Sequence, residues 1–223
     1  MADEIHPQVR IVVQPYASAL PLGFLAFGIG MFLLAATGTG WVDVTQAKPI
    51  GLLLVSFVFP LEFLACVIAF LARDSASAAS LGVFAGSWAA VGGALIAGTP
   101  GELSPALGYY LIAFAIVVVL LGIAALFGKP MIAILLFVAA VRAALGAVYE
   151  LGGGTSWQTA GGWVALGIFV VAMYGGLAFL LEEGMGKTVL PLWRKGGARE
   201  AIEGGLGPQL QRLESEAGVR HTL

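Results

Sequence analysis

Charged side chains are scarce in this sequence. Asp, Glu, Lys and Arg make up 11% of its 223 residues, whereas they make up about a quarter of a typical soluble domain. Hydrophobic residues reach 59%, so the chain has too few polar side chains to cover the surface of a water-soluble fold. The formal net charge of −2 also argues against a basic surface that could neutralise nucleic-acid phosphates. These scarcities indicate a protein that is surrounded by lipid.

Cysteine and histidine are nearly absent, which restricts metal binding and catalysis. The lone Cys66 lies in an apolar run and can form no intramolecular disulfide. His6 and His221 lie near the termini, so no histidine of the apolar stretches can shuttle protons, help to bind zinc or haem, or activate a nucleophile. A phosphate-binding glycine loop that ends in Lys-Ser or Lys-Thr is also missing. We therefore expect no cofactor, no metal and no enzymatic activity.

Six stretches are long and apolar enough to cross a bilayer, since a helix needs about 20 apolar residues to span about 30 Å of hydrocarbon. Glycine, proline or charged residues separate them, as at helix ends. Two connections are so short that spans two and three, and spans four and five, should be antiparallel neighbours. The predicted spans are Ala19–Ala36, Ile50–Ala72, Ala76–Ala97, Leu107–Phe127, Pro130–Leu151 and Trp163–Leu181.

The sequence thus predicts an all-α, polytopic membrane protein with six transmembrane helices. Its predicted parts are an N-terminal segment 1–18, a six-helix domain 19–192 and a polar tail 193–223. In a six-span chain most Lys and Arg residues outside the spans fall on one side of the membrane, and the other side has only Lys48. Cationic loops stay in the cytoplasm. Both termini are therefore predicted to be cytoplasmic, in a cell (cytoplasmic) membrane. The cationic side would contain Arg10, Arg73, Lys129, Lys187, Arg194, Lys195 and Arg199.

Two charged residues lie well inside predicted spans, Glu62 in the second and Arg142 in the fifth. A charge at mid-bilayer costs about 2.5 kcal/mol or more, so each should face protein or water and have a partner. One interpretation is a Glu62–Arg142 salt bridge that fixes helix packing. The other is a transport role, in which Glu62 takes up a proton that travels with the substrate and Arg142 attracts an anion. Glu150 lies near an interface, and we expect it to be solvated.

The first span begins with a proline, Pro21, which suits a first helical turn because its missing N–H would be unpaired there. A helix start at membrane depth presents free N–H groups and a positive dipole end to a carboxylate. Alternatively, Pro21 only starts a transmembrane helix.

Closely spaced glycines interrupt several spans, and they favour close helix packing or an oligomer interface more than a pore lined by backbone. These glycines are Gly82, Gly86, Gly92, Gly93, Gly175 and Gly176.

Two motifs point to a known family. The sixth span ends in Met185-Gly186-Lys187-Thr188-Val189-Leu190-Pro191, preceded by Glu183, Tyr174 and Gly162-Trp163. The first span contains Pro21-Leu22-Gly23-Phe24 and then Phe27-Gly28. The chain resembles the acetate uptake transporter family, the succinate-acetate permeases (the SatP or YaaH group), over roughly residues 18–192. Members close with Phe-Gly-Arg-Thr-Val-Leu-Pro and begin with Asn-Pro-Ala-Pro-Leu-Gly-Leu.

The resemblance implies a six-helix protomer with its own pore, assembled as a hexamer, that passes small monocarboxylates such as acetate, with succinate as a further candidate. A proton-coupled symporter and a passive channel are both compatible with it. Ser18-Ala19-Leu20 replaces the family's Asn-Pro-Ala, so a hydroxyl replaces an amide that could orient a substrate. The family's constriction ring corresponds to Phe27, Ala85 and Ala139, so we expect a neck that has lost bulk and a hydroxyl and admits a larger or different solute.

The sequence therefore favours a membrane transporter or channel for small monocarboxylates. Its expected partners are the carboxylate, protons, membrane lipid and other copies of the chain, and not nucleic acid. The alternatives are a channel for urea or ammonium and a non-transporting scaffold or sensor that signals through the polar tail. The predicted path consists of Ser18, Pro21, Leu22, Gly23, Phe27, Ala85 and Ala139, with intramembrane charges Glu62 and Arg142 and closing-motif residues Glu183, Gly186, Lys187, Thr188 and Pro191.

Overall fold

The computed structural model describes residues 16–196 and Arg199. All regular structure in this part of the chain is helical. A 3-10 turn (Val44–Gln46) precedes the second helix, and π turns (Leu54–Val58 and Tyr149–Gly153) follow the second and sixth helices. The α-helices are α1 (Leu20–Gly38), α2 (Ala47–Leu53), α3 (Phe59–Leu71), α4 (Ser75–Ala97), α5 (Pro105–Ala125), α6 (Pro130–Val148) and α7 (Thr155–Met185).

Within the described residues, six helical segments are long and apolar enough to cross a membrane, which confirms the predicted all-α, six-span architecture. The second is continuous from Val44 to Leu71 through a π turn, and the fifth runs from Pro130 to Gly153. Large apolar side chains such as Tyr109, Leu120 and Phe127 point outwards, as a lipid-facing surface requires. The chain is a multi-pass membrane protein. The cytoplasmic location of its termini stays a prediction, and most of segments 1–18 and 193–223 lies outside the described residues.

Local signals in the sequence set the helix ends. The Asp74 carboxylate accepts a hydrogen bond from the Ser77 N–H, and the Ser104 hydroxyl accepts one from the Leu107 N–H, so each caps the helix that follows it. Prolines occupy the first positions of α5 and α6, where no N–H is needed. Gly186 ends α7 with a φ of 63°, a left-handed conformation that costs glycine little.

Two predicted boundaries were wrong. The sixth span begins at Thr155 and not at Trp163, because the break expected from Gly152 to Gly162 is confined to Gly152–Gly154. Only Gly152 and Gly154 of that stretch have positive φ, at 95° and 93°. The second span begins with the turn at Val44 and not at Ile50, since Pro49 lies in the first turn of α2, where proline is tolerated.

The expected antiparallel neighbours are present: α3 packs against α4, and α5 packs against α6. The first helix contributes the largest share of buried residues of the six spans and contacts α3, α4 and α7. Where α1 meets α7, a Cβ added to Gly162 would lie 2.7 Å from the Gly38 carbonyl carbon and from the Thr39 nitrogen. The two helices therefore meet backbone to backbone, which no residue larger than glycine permits.

The predicted glycine packing is confirmed at four positions. A Cβ at Gly82, Gly92, Gly175 or Gly176 would lie within 3.0 Å of a neighbouring helix. Gly86 and Gly93 differ, because no atom of the described residues outside their own helix lies within 4 Å of a Cβ placed there.

Candidate functional site

Two cavities follow one another through the bundle along α1, α4 and α6, on opposite sides of Phe84. The larger, of about 160 Å³, is lined by Glu62 and by residues from the first half of α4, and we name it the Glu62 cavity. The smaller, of about 20 Å³, is lined by Arg142 and by residues from the second half of α4, and we name it the Arg142 cavity. Phe84 lines both. The cavities therefore mark a path roughly parallel to the helices.

The walls of both cavities are mostly apolar. Polar side chains of the Glu62 cavity are Glu62, Ser77, Ser80 and Lys129, and those of the Arg142 cavity are Ser87, Trp88 and Arg142. Each cavity thus has a few polar groups on an apolar wall, as small-molecule sites commonly do.

An aromatic cluster, which we name the aromatic neck, separates the cavities. The ring centroids of Phe27 and Phe84 are 4.8 Å apart, and those of Phe84 and Phe114 are 5.3 Å apart. Trp88 packs on Phe27 at 6.0 Å, and all three pairs meet edge to face, which aromatic rings prefer. Gly30 leaves room for Trp88, because a Cβ at this glycine would lie 2.7 Å from the indole ring. The neck therefore depends on a glycine of α1 as well as on its rings.

The residues predicted for the constriction fall in different places. Phe27 lies in the neck, and Ala139 lines the Arg142 cavity. Ala85 is buried but lines neither cavity, because its neighbour Phe84 occupies the path. Successive residues of an α-helix differ by about 100° in direction, so Ala85 points away from the path that its neighbour Phe84 lines. The expected loss of bulk on α4 is not observed, and sequence reasoning missed Phe84.

The start of α1 contributes one face to the path. Leu20, Gly23 and Phe27 line the Glu62 cavity, and their spacing places them on the same side of a helix. The predicted Pro21 and Leu22 do not line either cavity, and Leu22 packs instead against a small cluster formed by α3 and α4. The Ser18 hydroxyl accepts a hydrogen bond from the Leu20 N–H at 3.4 Å. Of these predicted residues, Gly23 and Phe27 alone reach the cavity wall.

Of the two interpretations of Glu62 and Arg142, the salt bridge between them is wrong. Glu62 is 0% exposed, and neither of its carboxylate oxygens has a hydrogen-bond partner among residues 16–196. The indole N–H of Trp88 approaches this carboxylate but does not reach hydrogen-bond geometry. The two charged residues line different cavities, with the aromatic neck between them.

Arg142 interacts electrostatically with Glu150, which lies in the π turn at the end of the same span. Glu150 also accepts a hydrogen bond of 2.7 Å from the Ser104 N–H. Its side chain is partly buried and partly exposed, so it is less solvated than expected. Glu150 therefore links the end of the fifth span to the start of α5, beside the Arg142 cavity.

Lys129, in the connection between α5 and α6, also lines the Glu62 cavity. Its ammonium group donates hydrogen bonds to the Asp74 carboxylate and to the Ser77 hydroxyl. Burial by itself would raise the pKa of Asp74, but the charge of Lys129 and the hydrogen bonds from Lys129 and Ser77 outweigh it and lower that pKa. The ion pair therefore joins the connection between α3 and α4 to the connection between α5 and α6, beside the Glu62 cavity.

The closing motif holds the segment after α7 against that helix through hydrogen bonds. The Thr188 hydroxyl donates to the Glu182 carboxylate at 3.0 Å, and Arg194 forms an ion pair with the same carboxylate. The Lys195 N–H donates to the Gly128 carbonyl, so the chain after α7 returns to the α5–α6 connection. The acceptor is Glu182, which the sequence did not single out. The tyrosine before the motif, Tyr174, donates to the carbonyl of Pro191 at 3.0 Å, while Glu183, Lys187 and Thr188 are exposed.

Comparison with known proteins identifies the family. The GPR1/FUN34/yaaH family matches residues 2–193. The solved structure of the bacterial acetate channel SatP has the same fold, with a TM-score of 0.70 and 20% sequence identity over 79% of this chain and 98% of that chain. No curated protein sequence matches. Because the family match covers most of the chain, this protein belongs to the GPR1/FUN34/yaaH family.

Proposed function

We propose that this protein passes small monocarboxylates such as acetate across the cytoplasmic membrane. The observation that carries the proposal is the succession of two cavities along α1, α4 and α6 with a single aromatic neck between them. The solute class is supported by the fold shared with the bacterial acetate channel SatP.

The neck favours a neutral solute over a bare anion. The phenyl rings of Phe27, Phe84 and Phe114 offer no hydrogen bonds to a carboxylate, and an apolar constriction excludes the water that would otherwise solvate the charge. Arg142 supplies a positive charge on one side of the neck, where an anion can be attracted before it is protonated. The acid form then crosses between Phe27 and Phe84. Proton-coupled and passive versions of this step share the same path.

Uptake of radiolabelled acetate into proteoliposomes tests the proposal. We expect uptake to rise as the pH falls from about 8 to about 5, a range over which the protonated fraction of a carboxylic acid changes by about a thousandfold. Protein-free liposomes give the background from direct diffusion of the acid. Uptake no faster than this background at any pH would rule the proposal out. Counterflow with and without an imposed pH gradient distinguishes coupled from passive transport.

The structure weakens the urea or ammonium alternative, which rested on small residues at the neck. Phe84 fills the position expected for Ala85, so the neck retains its bulk. Liposome swelling in acetate, succinate, urea and ammonium solutions separates the solutes directly. A scaffold or sensor would show no flux in any of them, and deletion of residues 198–223 should leave the flux of a transporter intact.

The proposal includes assembly with other copies of the chain, as a hexamer by family resemblance. The outward-facing glycines Gly86 and Gly93 of α4 suit a close contact between membrane helices. Native mass spectrometry from a mild detergent measures the number of subunits.

A further inference from the structure

Two buried polar groups without hydrogen bonds lie beside the aromatic neck. Both carboxylate oxygens of Glu62 and the Nε1 atom of Trp88 are buried and unpartnered among residues 16–196. Glu62 shares the wall of its cavity with Phe27 and Phe84, and Trp88 packs on Phe27 and lines the cavity on the other side. Native proteins leave few buried polar groups unpaired, and such groups need an explanation.

The surroundings of Glu62 disfavour its ionised form. An isolated carboxylate in an apolar setting is far more costly than a neutral carboxyl group. Among the described groups that line the same cavity, the charged neighbour is Lys129, and it is already bound to Asp74 and Ser77. From α4 the indole of Trp88 approaches Glu62, and Ser77 and Ser80 lie on the wall of the same cavity as Glu62. The side chains that α1, α5 and α6 present to this cavity are apolar. Arg142 lies across the neck.

We propose that protonated Glu62 and the indole N–H of Trp88 form a hydrogen-bonding site for the carboxyl group of the permeating solute. The inference deepens the proposed function and rests on the solute being a monocarboxylate. Protonated Glu62 and Trp88 each donate one hydrogen bond, so together they can satisfy the acceptor oxygens of a carboxylic acid that has lost its water. Ionised Glu62 can only accept, and it places a fixed negative charge next to the neck. Glu62 therefore makes the path sensitive to pH beyond the titration of the solute itself.

The ratio of acetate uptake by the Glu62→Gln variant to uptake by the wild type isolates this effect. Glutamine keeps the shape and a donor group but cannot ionise, and the titration of acetate cancels in the ratio. We expect a ratio near unity at acid pH that rises severalfold as the pH is raised. A ratio that is constant across the pH range would overturn the inference.

The donor role of the indole is tested separately by Trp88→Phe, which keeps an aromatic ring and removes the N–H. We expect a severalfold loss of uptake, whereas the matched change Trp163→Phe, at an exposed indole, should leave uptake unchanged. Equal uptake by the two variants would remove Trp88 from the proposed site.

Infrared spectroscopy supplies a readout that does not depend on flux. At neutral pH we expect a carbonyl band of a protonated carboxyl group in the wild type, shifted by added acetate and absent from Glu62→Gln. The control Glu182→Gln should retain the band, because Glu182 is paired with Arg194. An absent band, or one that acetate does not shift, would overturn the inference even if uptake is measurable. Uptake at background together with a shifted band would refute the proposed function and leave the binding site standing.

Discussion

The contact between α1 and α7 provides the sharpest test of the packing. In Gly162→Ala, the added Cβ would lie 2.7 Å from the Gly38 carbonyl carbon and 3.0 Å from its Cα. Carbon atoms in favourable contact are about 3.5–4.0 Å apart, so the helices would have to separate by about 1 Å. The obstructing atoms belong to backbone, and no side-chain rotation can relieve the overlap.

The expected loss of stability follows from two opposing terms. Overpacking a well-packed interior costs about 1–3 kcal/mol, whereas replacing glycine by alanine inside a helix gains about 0.5–1 kcal/mol. The second term can be removed by comparison with Gly167→Ala in the same helix, where no described atom outside α7 lies within 4 Å of the new Cβ. The difference between the two variants then isolates the contact, at about 1–3 kcal/mol in favour of Gly167→Ala.

Reversible unfolding in mixed detergent micelles, followed by circular dichroism as the SDS fraction is raised, measures both variants against the wild type. We expect Gly162→Ala to unfold at a lower SDS fraction and Gly167→Ala to match or exceed the wild type. Unfolding free energies that agree within about 0.5 kcal/mol, the usual scale for substitutions that disturb nothing, would show that α1 and α7 do not meet at these glycines.

Two further predictions concern the ends and the middle of the path. Asp74→Asn should lower the unfolding free energy at neutral pH by about 1 kcal/mol or less, because the pair with Lys129 is partly exposed. The pKa of Asp74 is lowered in the folded protein, so its contribution is present above the ordinary value of 3.8 and disappears as the pH falls through the lowered pKa. The gap between wild type and variant in unfolding titrations should therefore close in acid, and a gap that widens there would contradict the assignment. Phe27→Ala should open the neck, so it should raise the uptake of acetate and of larger carboxylates and weaken the pH dependence of uptake. The control Phe32→Ala, at an outward-facing ring, should change neither. Both are measured by uptake into proteoliposomes, and a stricter size limit in Phe27→Ala would count against the neck.

Hydropathy predicts the spans of this fold well because lipid imposes a single strong requirement on each crossing. Hydropathy does not locate the start of α7, because a glycine can either break a helix or lie inside one. Gly152 and Gly154 break the helix with positive φ, whereas Gly162 lies inside it, where α1 approaches too closely for a side chain. The spacing of glycines does not separate these cases, since the difference arises from a helix distant in the sequence.

The candidate site was predicted in part for a similar reason. Intramembrane charges are rare enough to stand out, so the sequence singled out Glu62 and Arg142. Whether they pair depends on which side of the neck each one lies, and the sequence does not show this. The position of Phe27 in a motif singled it out, and the structure places its ring in the aromatic neck. Phe84 was missed because direction around a helix changes by about 100° with each residue, so the choice between residues 84 and 85 requires the orientation of α4 in the bundle.

The π turn at Leu54–Val58 lies between Gly51, which abuts the Gly92 carbonyl of α4, and Glu62. In an uninterrupted α-helix, residues 51 and 62 would lie within about 20° of each other. The wider turn accommodates about one extra residue and so rotates the second half of the span by roughly a quarter of a revolution relative to the first. Glu62 is thereby rotated out of line with Gly51, onto the part of the span that lines the Glu62 cavity. The extra residue in this turn, rather than the type of any one residue, therefore sets the direction in which Glu62 points from the helix axis.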